Sequence, residues 1–194
     1  MEEFTLDRTD LKMNAKAQLK GNYGVLFLIT LVVGLVGGLA GVVPVLNIIV
    51  MSAFAIALNR IYLGMLIGRK PAVGDAFASF GDFWPSFKVQ FRVALFTALW
   101  SMLFVIPGFV KKYAYSMAPY IMAENPTLTA KECIRRSMEM TDGHKMDLFV
   151  LDLSFIGWFM LGSLSMGIGY IWIVPYYKQT WVNAYIALKS GVRY

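Results

Sequence analysis

The sequence has little of what soluble enzymes and secreted domains usually contain. It holds one cysteine, Cys133, and one histidine, His144, and only 15% of its 194 residues are charged. A single cysteine excludes an internal disulfide and a cysteine-rich metal site. Because about a quarter of the residues of a soluble domain are charged, this chain lacks the charge to keep a complete surface in water.

Groupings typical of catalysis or metal binding are also missing. His144 is flanked by Asp142, Lys145 and Asp147, a spacing that supplies too few ligands for a metal, and no HExxH or CxxC pattern occurs. The sequence has no Ser-His-Asp or Cys-His grouping, and Asp147 and Asp152 do not form a recognisable carboxylate pair. We therefore expect no metal, no cofactor and no enzymatic activity.

Apolar residues dominate instead. They make up 58% of the chain, and the mean hydropathy is +0.58. Several uncharged runs approach the 20 or so residues with which a helix crosses a bilayer. Residues 1–6 carry Glu2 and Glu3 where a signal peptide would be basic, so we expect no cleaved leader. These features predict an all-α integral membrane protein.

Apolar runs and turn residues predict one domain, residues 1–194, built as a bundle of about six spans in three hairpins. Pro44 with Asn47, Pro107 with Gly108, and residues 167–169 mark the turns inside the hairpins. The predicted parts are an interfacial amphipathic helix (1–22), hairpin 1 (24–67), hairpin 2 (93–123), a cytoplasmic amphipathic helix (125–147) and hairpin 3 (148–188).

Two of these parts allow a second interpretation. The first helix presents Leu11, Ala15 and Leu19 on one face, and this face either enters the membrane surface or packs on the protein. The segment 109–123 is short and carries Lys112, so it either spans the membrane or forms a re-entrant or broken helix.

Basic residues indicate the orientation of the bundle. The stretches rich in Lys and Arg precede residue 24, follow residue 68, lie between residues 125 and 145 and follow residue 188, which places all of them on one side. Because basic loops stay in the cytoplasm, we expect both termini there. The net charge of +6 then reflects topology, and we expect no nucleic-acid partner.

A group of glycines in the first predicted span indicates close helix packing. Gly34, Gly37, Gly38 and Gly41 form overlapping GxxxG spacings, which remove side chains from a helix face. A homo-oligomer or a partner membrane protein could use that face.

Three charged residues fall inside predicted spans, at similar depth in the inner half of the bilayer. They are Arg60, Asp152 and Lys178, and charges at such depth are candidates for function. One interpretation is a polar layer in which Asp152 balances one cation and leaves the other for an anionic or lipid-headgroup ligand. The other is that Arg60 and Lys178 extend to the membrane surface while Asp152 pairs with one of them. Prolines 119 and 175 either build a site or bend the helices.

The second half of the chain resembles a known family. The residues that carry the resemblance include Ile106-Pro107-Gly108, Lys112-Tyr113, Pro119-Tyr120-Ile121, Leu153-Ser154-Phe155-Ile156-Gly157-Trp158 and Pro175-Tyr176. This pattern is similar to a family of bacterial integral membrane proteins, mainly of Gram-positive organisms, catalogued as domain of unknown function nine-seven-five. The resemblance implies a bacterial plasma membrane protein, and it brings no reaction. Its motif residues here are Pro107, Gly108, Lys112, Pro119, Trp158 and Pro175.

The sequence is compatible with three classes of function. We favour a non-catalytic binding or accessory protein that engages membrane lipids, an amphipathic peptide or a partner membrane protein, because the chain is small and lacks catalytic groupings. A small transporter or channel with a polar site in the inner half of the bilayer is the alternative. A membrane enzyme would need two titratable groups that face one pocket.

Overall fold

The computed structural model describes residues 6–40, 44–78, 81, 83–103, 105–165 and 167–191. Every regular element in these ranges is helical, which confirms the all-α class. A 3-10 helix, Val73–Ala76, joins α3 to α4. The α-helices are α1 Arg8–Leu19, α2 Tyr23–Ala40, α3 Pro44–Leu66, α4 Phe83–Leu103, α5 Val105–Tyr115, α6 Ala118–Glu124, α7 Ala130–Met140, α8 Lys145–Leu153, α9 Ile156–Leu164 and α10 Tyr170–Ser190.

Helices α2 and α3 lie where hairpin 1 is predicted. Pro44 begins α3, because a proline in the first turn of a helix removes no hydrogen bond. Asn47 lies inside α3, not in the turn where we expected it, and its side-chain amide donates to the carbonyl of Gly37 at 3.0 Å. This bond ties the ends of the two helices together.

Hairpin 2 begins earlier than predicted and has a shorter second arm. Helix α4 starts at Phe83, ten residues before the predicted span, and α5 contains Pro107 and Gly108 in its first turns. The rings of Phe96 and Tyr115 are 6.4 Å apart, whereas a continuous helix would separate them by about 28 Å. The chain therefore reverses between α4 and α5, just before Pro107.

The segment 109–123 is broken, as our alternative for it anticipated. Helix α5 ends at Tyr115 and α6 starts at Ala118. Apart from Pro119, residues 118–123 are buried, so α6 lies inside the protein. Pro119 sits in the first turn of α6, directly after the break, where a proline bends nothing. The bend, one of our two interpretations of this residue, is therefore not found, and a role in a site stays a prediction.

Hairpin 3 has a break in its first arm. Helices α8 and α9 are separated by Ser154 and Phe155, and together they form a segment, Lys145–Leu164, that is long and apolar enough to cross a membrane. A second such segment exists in the described ranges only if α1 and α2, which meet at 93°, count as one. Six spans thus remain a prediction.

The first helix packs on the protein. Leu11, Ala15 and Leu19 are buried, and the side chain of Asn183 in α10 donates to the carbonyl of Leu11 at 3.1 Å. Of our two interpretations of this helix, the structure favours packing on the bundle. The interface places the basic residues of α1 beside the break between α8 and α9.

Large apolar side chains lie exposed on three helices, in stripes spaced by three or four residues. Such spacing puts the members of a stripe on one helix face. We call these side chains the apolar belt: Leu28, Leu31, Leu35 and Leu39 on α2, Phe91, Leu95 and Leu99 on α4, and Ile156, Met160 and Leu164 on α9. Water-soluble monomers rarely expose large contiguous apolar patches, so stripes of this kind are typical of a surface that faces lipid or a partner.

Candidate functional site

Asp152, near the end of α8, accepts hydrogen bonds from four side chains. Its Oδ1 accepts from the hydroxyl of Tyr177 at 2.7 Å and from Nε1 of Trp181 at 3.2 Å. Its Oδ2 accepts from the hydroxyl of Tyr113 at 2.9 Å and from Nζ of Lys112 at 3.2 Å. We call these five residues the Asp152 cluster. It satisfies both oxygens of a carboxylate that is only 17% exposed.

The four donors of the cluster come from two helices. Lys112 and Tyr113 are consecutive in α5, and Tyr177 and Trp181 lie one helical turn apart in α10. Tyr177 and Trp181 are spaced by four, so they share a face of α10. The ring of Tyr177 lies edge-on to Phe155 and Phe159, with centroids 5.2 and 5.3 Å away. These contacts fix the direction of its hydroxyl toward Asp152.

The predicted polar layer differs from this arrangement. Among the described residues, the ion-pair partner of Asp152 is Lys112, with its side chain 53% exposed, and neither Arg60 nor Lys178 lies within 4 Å of the carboxylate. Nε of Arg60 donates to the carbonyl of Ala123 at 3.2 Å. Lys178 is half-buried in α10. In the described residues, Asp152 therefore pairs with Lys112 and not with Arg60 or Lys178. A ligand at the three predicted residues stays a prediction.

Two lysines of α1 lie over aromatic rings. Nζ of Lys12 is 4.4 Å from the centroid of Phe155 and donates to the carbonyl of Ser154 at 3.1 Å. Nζ of Lys16 is 5.4 Å from the centroid of Tyr176 and 6.0 Å from that of Trp158. We call these two residues the lysine pair. In the part of the chain that the structure describes, no carboxylate lies within ion-pair distance of either ammonium.

Burial changes the acidity of Lys12. Partial burial beside Ser154 and Phe155 lowers the pKa of its ammonium, and the nearby charges of Arg8 and Lys16 lower it further. Loss of water and like-charge repulsion both disfavour a cation. An anion placed beside the lysine pair would offset both effects, because an opposite charge nearby favours the charged form.

The predicted glycine face is only partly a contact within one chain. A Cβ on Gly37 would lie 2.8 Å from Sδ of Met51 in α3, so this glycine allows the two helices to approach. Among the described residues, nothing lies within 4 Å of the corresponding positions on Gly34 and Gly38. Gly41 lies outside the described residues. Packing of the other glycines against a second molecule stays a prediction.

The residues of the family motif have different surroundings. Lys112 belongs to the Asp152 cluster, and Trp158 lies edge-on to Tyr176 at 6.1 Å while 42% exposed. Pro175 is buried inside α10. In the described part of the chain, no group of three or more His, Cys, Asp or Glu residues is arranged to hold a metal ion.

Sequence reasoning missed the partners of Asp152. Lys112 and Tyr113 stand 40 and 39 positions before it, in a different predicted hairpin. One signal was present, because the motif Lys112-Tyr113 and the motif that begins at Leu153 belong to the same family pattern.

Comparison with known proteins identifies the second half of the chain. No curated protein and no solved structure matches it. A family model, however, matches residues 102–191, and this range contains the whole Asp152 cluster and Trp158. Residues 102–191 match the model of the family described as Protein of unknown function (DUF975), which confirms the family resemblance seen in the sequence.

Proposed function

We propose that the protein is a non-catalytic, multi-pass membrane protein that binds anionic membrane lipid through the lysine pair, Lys12 and Lys16. The observation that carries the proposal is the geometry of this pair: two cations held over aromatic rings, without a carboxylate partner among the described residues, at the edge of an exposed apolar face.

The apolar belt supports the multi-pass part of the proposal. It occupies α2, α4 and α9, and stripes of exposed Leu and Phe side chains on several helices are stable when they face lipid tails. Water would penalise the exposed carbon surface by about 25 cal/mol per Å². Many charged residues lie elsewhere, in α1, α7 and the loop after α3, while Lys88 and Arg92 lie in the first half of α4.

The position of the lysine pair supports lipid as the ligand. Trp158, which lies under Lys16, is followed along α9 by the exposed side chains of Met160 and Leu164. A phosphate beside the lysines would thus have an apolar helix face next to it on which the acyl chains can lie. Basic residues near a membrane surface each attract anionic lipid by about 1 kcal/mol.

The transporter alternative has less support. It requires a polar cavity that joins Arg60, Asp152 and Lys178, and the two described cavities lined by Arg60 contain neither of the other residues. In the Asp152 cluster, both carboxylate oxygens already accept hydrogen bonds from side chains of the protein. We therefore interpret it as a structural centre of the family-matching half.

Native mass spectrometry of the purified protein with phosphatidylglycerol tests the proposal. Removing two cations worth about 1 kcal/mol each should weaken binding about thirtyfold, so we expect that loss for Lys12→Gln with Lys16→Gln. A matched control, Lys20→Gln with Lys131→Gln, removes the same charge from two exposed positions. Equal losses in both double variants would reduce the effect to net charge and contradict the proposal.

A further inference from the structure

We infer that Lys88 and Arg92, on the exposed face of α4, form a second lipid-headgroup site, and that this site holds the phosphate of one anionic phospholipid of the inner leaflet. We call these two residues the α4 cation pair. The inference rests on the multi-pass part of the proposed function, and it does not depend on the lysine pair, which lies on α1.

The α4 cation pair lies on the side of α4 that faces away from the protein. An α-helix turns by about 100° per residue, so Lys88, Phe91, Arg92 and Leu95 fall within an arc of about 100° around its axis. All four side chains are exposed, whereas Ser86, on the opposite side of the helix, is fully buried. The outer face of α4 therefore presents two cations among large apolar side chains.

Neither cation of the pair has a counter-charge in the protein. Nζ of Lys88 lies 5.4 Å from the ring centroid of Trp84. Within the ranges that the structure describes, no carboxylate lies at ion-pair distance from Lys88 or Arg92. A cation on a surface that faces lipid is costly unless it reaches the membrane surface or meets an anion there. The phosphate of a lipid supplies that anion.

The two charged groups can meet at one level of the bilayer. Trp84 lies in the first turn of α4 and is 58% exposed, and exposed tryptophans prefer the interface between membrane and water. Four residues separate Lys88 from Arg92, so their Cα atoms differ in depth by about 6 Å. Helical side chains slope toward the N-terminus, and the side chain of Lys88 does so over Trp84. We therefore expect the guanidinium of Arg92 to extend toward Lys88, so that one phosphate contacts both.

The surroundings of the pair fit a phospholipid better than a soluble anion. The planar fork of a guanidinium matches the oxygens of a phosphate. Phe91, Leu95 and Leu99 continue the exposed face away from Trp84, so an acyl chain can lie along them. The stretch after residue 68, which precedes α4, is predicted to face the cytoplasm, and this orientation assigns the lipid to the inner leaflet.

Quenching of a fluorophore by brominated lipid tests this site. The parent variant carries Cys133→Ser, Lys12→Gln and Lys16→Gln, so the lysine pair does not contribute. Bimane is attached to Leu95→Cys on α4 or, as a matched control, to Leu35→Cys on α2. Both leucines are exposed and stand twelve positions after the first residue of their helix. The protein is placed in phosphatidylcholine bilayers that contain increasing fractions of brominated phosphatidylglycerol or brominated phosphatidylcholine.

We expect a preference for phosphatidylglycerol at position 95 only. Two cations near the membrane surface should favour the anionic lipid there about thirtyfold, whereas the two lipids should quench the label at position 35 alike. Lys88→Gln with Arg92→Gln should abolish the preference at position 95, while phosphatidylcholine still quenches the label of a protein folded in the bilayer. Lys20→Gln with Lys131→Gln removes the same charge from exposed positions outside α4 and should leave the preference unchanged.

Four results would overturn the inference: no preference at position 95, an equal preference at position 35, a preference that survives Lys88→Gln with Arg92→Gln, or an equal loss in the control double variant. Inorganic phosphate that removes the preference at a lower ionic strength than sodium chloride would overturn the lipid as occupant and indicate a free anion. Absence of quenching by either lipid at both positions would contradict the membrane bundle itself, so failure of the proposed function is distinguishable from failure of this site.

Discussion

Replacing Asp152 by Asn should destabilise the protein by about 3 kcal/mol. The carboxylate accepts four hydrogen bonds, and a hydrogen bond to a charged group contributes about 1.5–3 kcal/mol against about 0.5–1.5 for a neutral one. The asparagine oxygen can still accept from Tyr177 and Trp181, which then lose about 1 kcal/mol each. On the other side, the new amide faces Lys112, which has no acceptor to offer.

The contribution of the Lys112–Asp152 ion pair to this loss of stability can be measured separately. Because Lys112 is half-exposed, its pair with Asp152 should contribute only about 1 kcal/mol. In a Lys112→Met background, Asp152→Asn should therefore cost about 1 kcal/mol less than in the unmodified protein. Lys178→Met is the matched control, since Lys178 lies outside the cluster, and there the cost should agree with the unmodified protein to about 0.5 kcal/mol.

Unfolding by sodium dodecyl sulfate in mixed micelles, followed by tryptophan fluorescence, supplies the free energies for both cycles. Asp152→Asn within 1 kcal/mol of the unmodified protein would refute the view of the cluster as a structural centre. A coupling of Asp152 to Lys178 as large as that to Lys112 would instead restore the polar layer predicted from the sequence.

Three further outcomes follow from the packing and the charges. Gly37→Leu should lower the free energy of unfolding by about 1–3 kcal/mol through overpacking against α3. Gly38→Leu should leave the free energy of unfolding of a monomer nearly unchanged. An equal loss of stability in both variants would indicate that a partner molecule packs on the glycine face. Burial raises the pKa of Glu124, but hydrogen bonds from Lys189 and Tyr185 leave it below its ordinary value of 4.5. The stability that this group contributes is therefore present above pH 4.5 and is lost as the pH falls through the lower pKa of the folded protein. Glu124→Gln should thus make the free energy of unfolding depend less on pH below about pH 4.5. Cys133 is fully buried and burial raises the pKa of its thiol, so maleimide should modify it only after unfolding, and rapid labelling of the native protein would contradict the packing of α7.

The sequence predicted the helices well where hydrophobic runs were long and were bounded by turn residues. The first predicted span, residues 24–43, and the arms of hairpin 3 lie close to α2, α8 with α9, and α10, because apolar composition and turn residues are local signals. Residues 41–43 of that span lie outside the described residues. Thr129 caps the start of α7, and its hydroxyl accepts a hydrogen bond from the backbone amide of Glu132 at 3.3 Å.

The parts that were missed depend on contacts between distant segments. Helix α6 was predicted as part of a span, and only its enclosure by neighbouring helices explains why Tyr120 and Met122 are buried. Lys112 was noted only as a lysine in the short segment 109–123, and its partner Asp152 stands forty positions away. Depth along a helix, counted from the sequence, placed Asp152 near Lys178 but did not reveal which face each residue occupies.

Cysteine accessibility is the most direct test of the central claim, a multi-pass bundle whose basic, lipid-binding side faces the cytoplasm. In a Cys133→Ser background, single variants Lys20→Cys, Lys70→Cys, Glu139→Cys, Ile168→Cys and Tyr194→Cys are treated with a membrane-impermeant maleimide before and after permeabilisation of the cells. We expect labelling of Ile168→Cys in intact cells, and labelling of the other four only after permeabilisation. Labelling of Lys70→Cys or Glu139→Cys together with Ile168→Cys in intact cells would contradict the account.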